Sequence, residues 1–155
     1  MIFYYPVYAK DAGEPHSREL DVIVTKDALI TSHYNESVTP VVDLFKKCQA
    51  DEKFRAVHTR GGTGELLYYA LSDFWKSCLE KLEGMDEKLD KIEDSMFEGE
   101  EKKMVLEISK FKAEVINFWR IIEPQEEILD SLAKDGESFF GASFLPRIAD
   151  IQGTY

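Results

Sequence analysis

The run LYYALSDFWKSCLEKLEGMDEKLDKIEDSM, residues 67–96, carries the clearest structural signal in the chain. Its apolar side chains recur at steps of three and four, at Leu67, Leu71, Phe74, Cys78, Leu82, Met85, Leu89, Ile92 and Met96. Such steps keep side chains on one face of an α-helix. The spacing therefore predicts a helix of roughly 35 residues, about 50 Å long, with one coiled-coil-like apolar face.

A second apolar series begins after the short segment FEGE at residues 97–100. Its members are Met104, Ile108, Phe111, Val115, Phe118 and Ile122. A connection of this length is short enough to return the chain antiparallel to the first helix. Pro124 should interrupt or kink the second helix, and Gly136 should end it. The sequence thus predicts a long antiparallel helical hairpin over residues 61–136.

The first 60 residues have a different pattern. Residues 1–9, 19–25 and 28–34 are β-branched, aromatic or alternating, which predicts three strands, with a tight turn at residues 26–27. Pro6 suggests an edge strand or a bulge, because proline donates no backbone hydrogen bond. The polar residues 10–18 should form a loop.

A short helix is predicted over residues 40–50, with Thr39 as its N-cap and Pro40 in its first turn. The glycine-rich residues 60–64 are interpreted as a flexible connector, with Thr63 capping the next helix. The predicted fold class is α+β, a small, mainly antiparallel sheet plus the hairpin. The domain organisation is a sheet with a short helix over 1–60, the hairpin over 61–136, and the start of a truncated helix over 137–155.

Composition excludes several classes of function. The formal net charge is −11, from 30 acidic and 19 basic residues, so nucleic-acid binding is disfavoured because phosphate contacts need a basic face. No apolar run approaches the ~18 residues of a transmembrane helix, so the chain as given is expected to be soluble. Cys48 and Cys78 are too few and too far apart for a metal motif, and two buried thiols are expected.

Catalytic motifs are missing as well. His16, His33 and His58 are scattered and have no cysteine companions, so structural histidines are favoured over metal ligands. The glycines at 60–64 lack the Gly-Lys-Ser/Thr ending of a P-loop. We therefore expect no enzyme activity, no catalytic residue and no tightly bound cofactor.

The hairpin is strongly acidic. Residues 80–101 carry ten carboxylates against three lysines, a net charge of −7. A solvated, screened surface explains this charge. The second interpretation is a diffuse attractor of divalent cations, since Mg²⁺ prefers carboxylate and water oxygens.

Several segments resemble one family in order and spacing. They are ELDVIVTKDALITSHY at 19–34, LLYYALSD at 66–73, LEKLE at 79–83 and the proline-centred IEPQEEILDSL at 122–132. Together they resemble the cytoplasmic domain of CorA-like magnesium and divalent-cation transporters. The resemblance implies a regulatory or scaffold domain on the cytoplasmic face of the membrane. It also implies that the full-length protein assembles as a homopentamer. Pore helices would follow Tyr155, so this chain would not transport by itself.

One part of the family pattern is altered. The stalk helix in this family often opens with aromatic-x-Arg-Asp-x-x-Asp-His, whose acids contribute to a cation site between subunits. Aligned without gaps, residues 144–151 place Arg147 at the first acid and Ile151 at the histidine, and only Asp150 remains. Asp150 is therefore the single candidate metal residue, for Mg²⁺ or another divalent cation. A cation beside Arg147 would be repelled.

A free-standing interaction module is the alternative function, in which the apolar face of the hairpin docks partner helices. The coding sequence beyond Tyr155 distinguishes the two. Two apolar stretches of ~20 residues, the first ending near Gly-Met-Asn, are expected for a transporter, and a stop codon for the module.

Overall fold

Three antiparallel strands form the sheet in the order β1 (Ile2–Tyr8), β2 (Pro15–Val24) and β3 (Leu29–His33). The computed structural model describes residues 1–8, 15–34, 38–96 and 101–155. Alternation places Phe3, Tyr5, Leu20 and Val22 on the buried face. The predicted turn is confirmed, since the amide of Thr25 donates to the carbonyl of Ala28 at 2.8 Å.

Strand β2 begins earlier than the sequence predicts. Residues 15–18 were expected in a loop because they are polar, but they pair with β1, with Ser17 opposite Pro6 and Arg18 opposite Tyr5. Cross-strand pairing overrides composition here. The remainder of the predicted loop, residues 10–14, lies outside the described residues. In the described part of the chain β1 pairs with β2 alone, so Pro6 does lie in an edge strand.

Two short helices, α1 (Thr39–Ala50) and α2 (Glu52–Thr59), follow the sheet. Thr39 is not the predicted N-cap, because α1 starts at Thr39 itself and Val38 precedes it without a capping side chain. Helix α2 was not predicted. Its signal is Asp51, whose carboxylate accepts from the amides of Lys53 and Phe54 at 2.8 and 3.1 Å.

Helix α3 (Gly62–Met96) has the predicted length of 35 residues. The expected connector at 60–64 is shorter than predicted, because the helix already begins at Gly62, whose φ is +79°. Thr63 is the second residue of α3 and therefore does not cap it. Glycine adopts this positive φ without the steric cost that a side chain imposes.

Helix α4 (Glu101–Ile122) returns antiparallel along α3. Lys88 forms an ion pair with Glu114, while Trp75 and Ile122 line one groove further along the pair. The paired antiparallel helices predicted from the sequence are confirmed. The predicted turn at residues 97–100 lies outside the described residues.

The predicted apolar faces are only partly buried. Leu82 and Leu89 are 43% and 40% exposed, and Ile108 and Val115 are 43% and 38% exposed. Of the predicted α4 positions Phe118 is buried as expected, whereas Glu114 and Ile121, which are also buried, were not in the predicted series. The reason is that α4 packs against β1 and β2 as well as against α3, which rotates its buried face away from the predicted one.

Pro124 interrupts the helix as predicted, within a 3₁₀ turn at Glu123–Gln125. Helix α5 (Glu126–Phe140) then runs past Gly136, the predicted stop, and ends at Gly141, whose φ is +86°. Gly136 serves close packing, since a Cβ there would lie 2.8 Å from a ring atom of Phe144.

After a 3₁₀ turn at Ala142–Phe144, helix α6 (Leu145–Thr154) packs against α3 and α5. Phe144, Ile148 and Ile151 join the sheet, α3 and α5 in one hydrophobic core. The predicted α+β class is confirmed, and the three-part domain division stays a prediction. In the described residues, no helix is long and apolar enough to cross a membrane.

Candidate functional site

Asp150, the predicted metal residue, lies on the exposed side of α6 where this helix meets the first turns of α3. One of its carboxylate oxygens accepts a hydrogen bond of 2.7 Å from the hydroxyl of Tyr68. Tyr68 and Asp150 are 82 residues apart, so this bond joins distant parts of the chain. Ile151, at the position of the family histidine, is 1% exposed and belongs to the core.

Arg147 lies one turn before Asp150 on α6. Its guanidinium donates to the carboxylate of Glu65 at 2.6 Å and lies 4.6 Å from the centre of the Tyr68 ring. The side chains of Arg147 and Glu65 are 40% and 20% exposed, so solvent screens the ion pair in part. Two acids, one phenol and one guanidinium therefore meet at the contact of α3 with α6, which we call the α3–α6 junction (Glu65, Tyr68, Arg147, Asp150).

Glycines bring these helices together. A Cβ on Gly64 would lie 3.0 Å from the ring of Phe140, so α3 approaches the end of α5 closely. A Cβ on Gly61 would lie 2.7 Å from the Cβ of Glu65 and 3.1 Å from one of its carboxylate oxygens. The absence of a side chain at Gly61 therefore leaves room for Glu65 at the N-terminus of α3, where the helix dipole favours a negative charge.

Electrostatics keep Tyr68 protonated. Its pKa lies above the ordinary value, chiefly because the hydroxyl donates to Asp150, and further because of burial and the charge of Asp150. The positive charge of Arg147 lowers the pKa and only partly offsets these effects. Tyr68 thus remains a hydrogen-bond donor at neutral pH.

The donors at the junction do not match a divalent-cation site within one chain. Mg²⁺ prefers six oxygen ligands, whereas Asp150 offers one carboxylate that already accepts from Tyr68, with a guanidinium nearby. Across the described ranges, no three His, Cys, Asp or Glu side chains are grouped so that they could hold a metal ion. Asp150 as a cation ligand stays a prediction.

Comparison with known proteins shows the family. The family model described as "CorA-like Mg2+ transporter protein" matches residues 1–154. The chain belongs to this family. The family that the sequence resemblance indicated is thus confirmed. The chain is also similar to the cobalt/magnesium transport protein CorA of Thermotoga maritima, at 23% identity over 144 residues. That match covers 93% of this chain and 40% of the relative, so the chain spans well under half of the relative's length.

The acidic face of this CorA-like domain is exposed. Within residues 80–94 every Asp and Glu side chain lies in solvent: Glu80, Glu83, Asp86, Glu87, Asp90, Glu93 and Asp94. These carboxylates lie on the polar side of α3, which fits either a screened surface or a diffuse cation attractor.

The predicted histidines and cysteines occupy separate places. His16 lies in β2, His33 in β3, and the ring of His58 stacks on Phe54 at 3.8 Å. Cys78 is buried, and burial raises its pKa to about 12. Cys48 is only partly buried, which corrects the expectation of two buried thiols.

Sequence reasoning missed two buried polar residues of the CorA-like fold. Gln125 is fully buried, and its side-chain amide exchanges hydrogen bonds with the backbone of Tyr4, at 3.2 Å and 2.7 Å. Glu114 is 6% exposed and pairs with Lys88. The available signal was the series 104, 107, 111, 114, 118, 121 and 125, which is a regular three-four spacing once polar residues are admitted to it.

A groove between α3 and α4 adds an apolar surface. It measures about 160 Å³ and is lined in part by Leu82, Val115, Trp119 and Tyr155. Trp119 is 63% exposed. The groove is the structural feature that bears on the alternative function.

Proposed function

We propose that this chain is the cytoplasmic regulatory and scaffold domain of a CorA-like divalent-cation transporter, and that it does not itself transport. The observation that carries this proposal is the family match over residues 1–154, which takes in the sheet, the hairpin and α6. A catalytic role is not part of the proposal.

The architecture supports a mechanical role. Helix α6 is parallel to α3, since Arg147 contacts Glu65, Asp150 contacts Tyr68, and the ring of Tyr155 packs edge-on against Trp75 at 5.0 Å. A displacement of α6 must therefore disturb several contacts with α3 together. In the full-length protein, which we propose to be a homopentamer at the cytoplasmic face of the membrane, this coupling would link the domain to the pore.

Divalent cations are the proposed ligands of the assembly. The exposed carboxylates between residues 80 and 94 give this part of α3 a negative electrostatic potential, which concentrates cations near it. Binding to such a surface is diffuse, because each carboxylate is solvated and no closed shell of ligands surrounds the ion. We infer no tightly bound cofactor.

The test is cation uptake by the full-length protein. The coding sequence downstream of Tyr155 is determined, and the complete protein is expressed in a bacterial strain that needs added Mg²⁺ because it lacks its own importers. We expect growth at low Mg²⁺ with the complete protein and none with a matched gene that stops after Tyr155. A natural stop codon at that position, or uptake of no divalent cation by the complete protein, would contradict the proposal.

The interaction module is the second candidate, and the groove between α3 and α4 favours it. Leu82, Val115 and Trp119 leave an apolar surface of the kind that receives an amphipathic helix. A natural stop codon after Tyr155, together with loss of a partner on Trp119→Ser, would select this function.

A further inference from the structure

The guanidinium of Arg147 places a positive charge at the α3–α6 junction. The guanidinium of Arg147 lies 2.6 Å from a carboxylate oxygen of Glu65 and 4.6 Å from the ring centre of Tyr68. The same Tyr68 donates its hydroxyl to Asp150 at 2.7 Å. The positive charge of Arg147 is therefore paired with Glu65, and it lies against the ring of the tyrosine that binds Asp150.

We propose that Arg147 is a covalently attached cation that holds α6 on α3, so that this junction is closed without a divalent metal ion. Its regulatory meaning rests on the function proposed above, whereas the contact itself is a property of the 155-residue chain. The expected consequence is a junction whose stability does not respond specifically to Mg²⁺.

The chemistry of the donors supports this assignment. A divalent ion at Asp150 would have to displace the Tyr68 hydroxyl or share the carboxylate with it, beside a fixed guanidinium. Mg²⁺ also loses its water ligands reluctantly, and Glu65 is already engaged by Arg147. An arginine meets none of these obstacles, because its planar group stacks on the aromatic ring while its N–H groups reach a carboxylate.

The backbone is shaped for the arginine contact. Gly61 leaves the space that Glu65 fills, with a would-be Cβ only 3.1 Å from a carboxylate oxygen of that residue. Gly64 lets Phe140 approach α3, and Gly136 lets Phe144 approach α5, which sets the start of α6 close to the N-terminus of α3. The acceptor Glu65 and the ring of Tyr68 are thus both held on α3, next to the start of α6.

The experiment compares the thermal melting of the 155-residue chain with that of four variants. Arg147→Met removes the charge, Arg147→Lys keeps it, and Arg120→Met removes a guanidinium from the exposed surface of α4 as a matched control. Each chain is melted in low-salt buffer, in about 10 mM MgCl₂, and in NaCl of equal ionic strength. The comparison separates specific binding of Mg²⁺ from the screening of charges by salt. Asp150→Asn is melted under the same conditions.

We expect Arg147→Met to melt about 2–4 °C below the wild type, a shift typical of one partly exposed ion pair in a chain of this size. Arg147→Lys should regain at least half of the loss, and Arg120→Met should melt with the wild type. Any rise of the midpoint in MgCl₂ over NaCl should be the same in the wild type and in Asp150→Asn, because the acidic surface of α3 and not the junction would cause it.

Three results would overturn the proposal. They are a saturable Mg²⁺-specific rise of the wild-type midpoint that Asp150→Asn removes, an Arg147→Met chain that melts with Arg120→Met, and an Arg147→Lys chain that melts with Arg147→Met. The uptake assay with the complete protein reports the proposed function separately. The two assays therefore distinguish failure of the Arg147 contact from failure of the proposed transport function.

Discussion

The same apolar rhythm produces two different environments along α3. At the base of the hairpin (residues 62–78 of α3), Leu67, Leu71 and Phe74 are at most 1% exposed, because the sheet, α5 and α6 contribute to the same core. In the distal half (residues 79–96 of α3 and 101–115 of α4), Leu82 and Leu89 are about 40% exposed, although Met85 and Ile92 of the same series are buried. The spacing of apolar residues thus fixes which face points inward, while the number of packing neighbours fixes how much of that face is buried.

The largest expected effect separates these two halves directly. Phe74→Ala should lower the free energy of unfolding by about 3–5 kcal/mol, because it leaves a cavity among tightly packed rings. Leu89→Ala, on the same face of the same helix, should lower it by about 1 kcal/mol, since its side chain is already partly in water. Urea unfolding measures both. Equal losses would contradict the difference in packing.

Two glycines sharpen the comparison next. Gly136→Ala should destabilise the protein by about 1–3 kcal/mol, because the added Cβ would lie 2.8 Å from the Phe144 ring. Gly84→Ala, in the distal half, meets no atom within 4 Å and should stabilise the protein by about 0.5–1 kcal/mol through helix propensity. Denaturant midpoints report both signs. Stabilisation by Gly136→Ala would refute the close approach of Phe144.

Glu114 is a buried polar residue of the distal half. Lys88→Met should cost about 1–2 kcal/mol, since it leaves the carboxylate of Glu114, only 6% exposed, without its partner. The figure is reduced from that of a fully buried pair because the Lys88 side chain is 46% exposed. The double variant Lys88→Met/Glu114→Leu should recover most of the loss in thermal melting. A double variant as unstable as the single one would contradict the pairing.

The buried thiol of Cys78 should make the stability of the protein depend on pH. Burial raises the pKa of Cys78 to about 12 from 9.0, so the folded chain keeps this proton where the unfolded chain releases it. The stability that the protonated Cys78 thiol contributes to the folded chain is present below pH 9 and is lost as the pH rises from 9 towards 12. Stability should therefore fall more steeply above pH 9 in the wild type than in Cys78→Ala.

Alkylation supplies a second readout of the same residue. Native protein at pH 8 should be modified by iodoacetamide at Cys48 before Cys78, because Cys78 is the more buried of the two. Cys48→Ser is the control that isolates Cys78. Rapid modification of Cys78 in this variant would show that the base of the hairpin is open.

The smallest effect concerns the acidic surface. Mg²⁺ should raise the melting temperature by a degree or so, only at millimolar concentration, and the rise should fade with added NaCl. Replacing Asp86, Glu87 and Asp90 by their amides should remove it, while the same change at Glu126, Glu127 and Asp130 of α5 should not. Saturation at micromolar Mg²⁺ would contradict diffuse binding.

Much of the architecture could be predicted from local pattern. The rhythm from Leu67 gave the length of α3, and the alternation around Val22 gave the hairpin of β2 and β3. The orientation of α4 could not be predicted in the same way, because Glu114 and Gln125 are buried through contacts with Lys88 and with the backbone of Tyr4. These polar residues belong to the core because of their partners elsewhere in the fold. A search for apolar periodicity therefore does not find them.

The site shows the same limit. Asp150 and Arg147 could be chosen from sequence, since a family pattern marked their positions. Their partners Glu65 and Tyr68 lie 82 residues away and become neighbours only because α6 folds back parallel to α3. The continuation of α5 past Gly136 was also missed, because the ring of Phe144 that occupies the space above this glycine is supplied by a later turn.

The pairing of α3 with α4 is tested most directly by one distance. Nitroxide labels are placed at Asp86→Cys on α3 and Ile116→Cys on α4, in a chain that carries Cys48→Ser and Cys78→Ala, and the separation is measured by pulsed electron paramagnetic resonance. Antiparallel helices packed about 10 Å apart predict a label separation on the order of 20 Å. A separation near 45 Å, the length of 30 residues in one continuous helix, would contradict the hairpin.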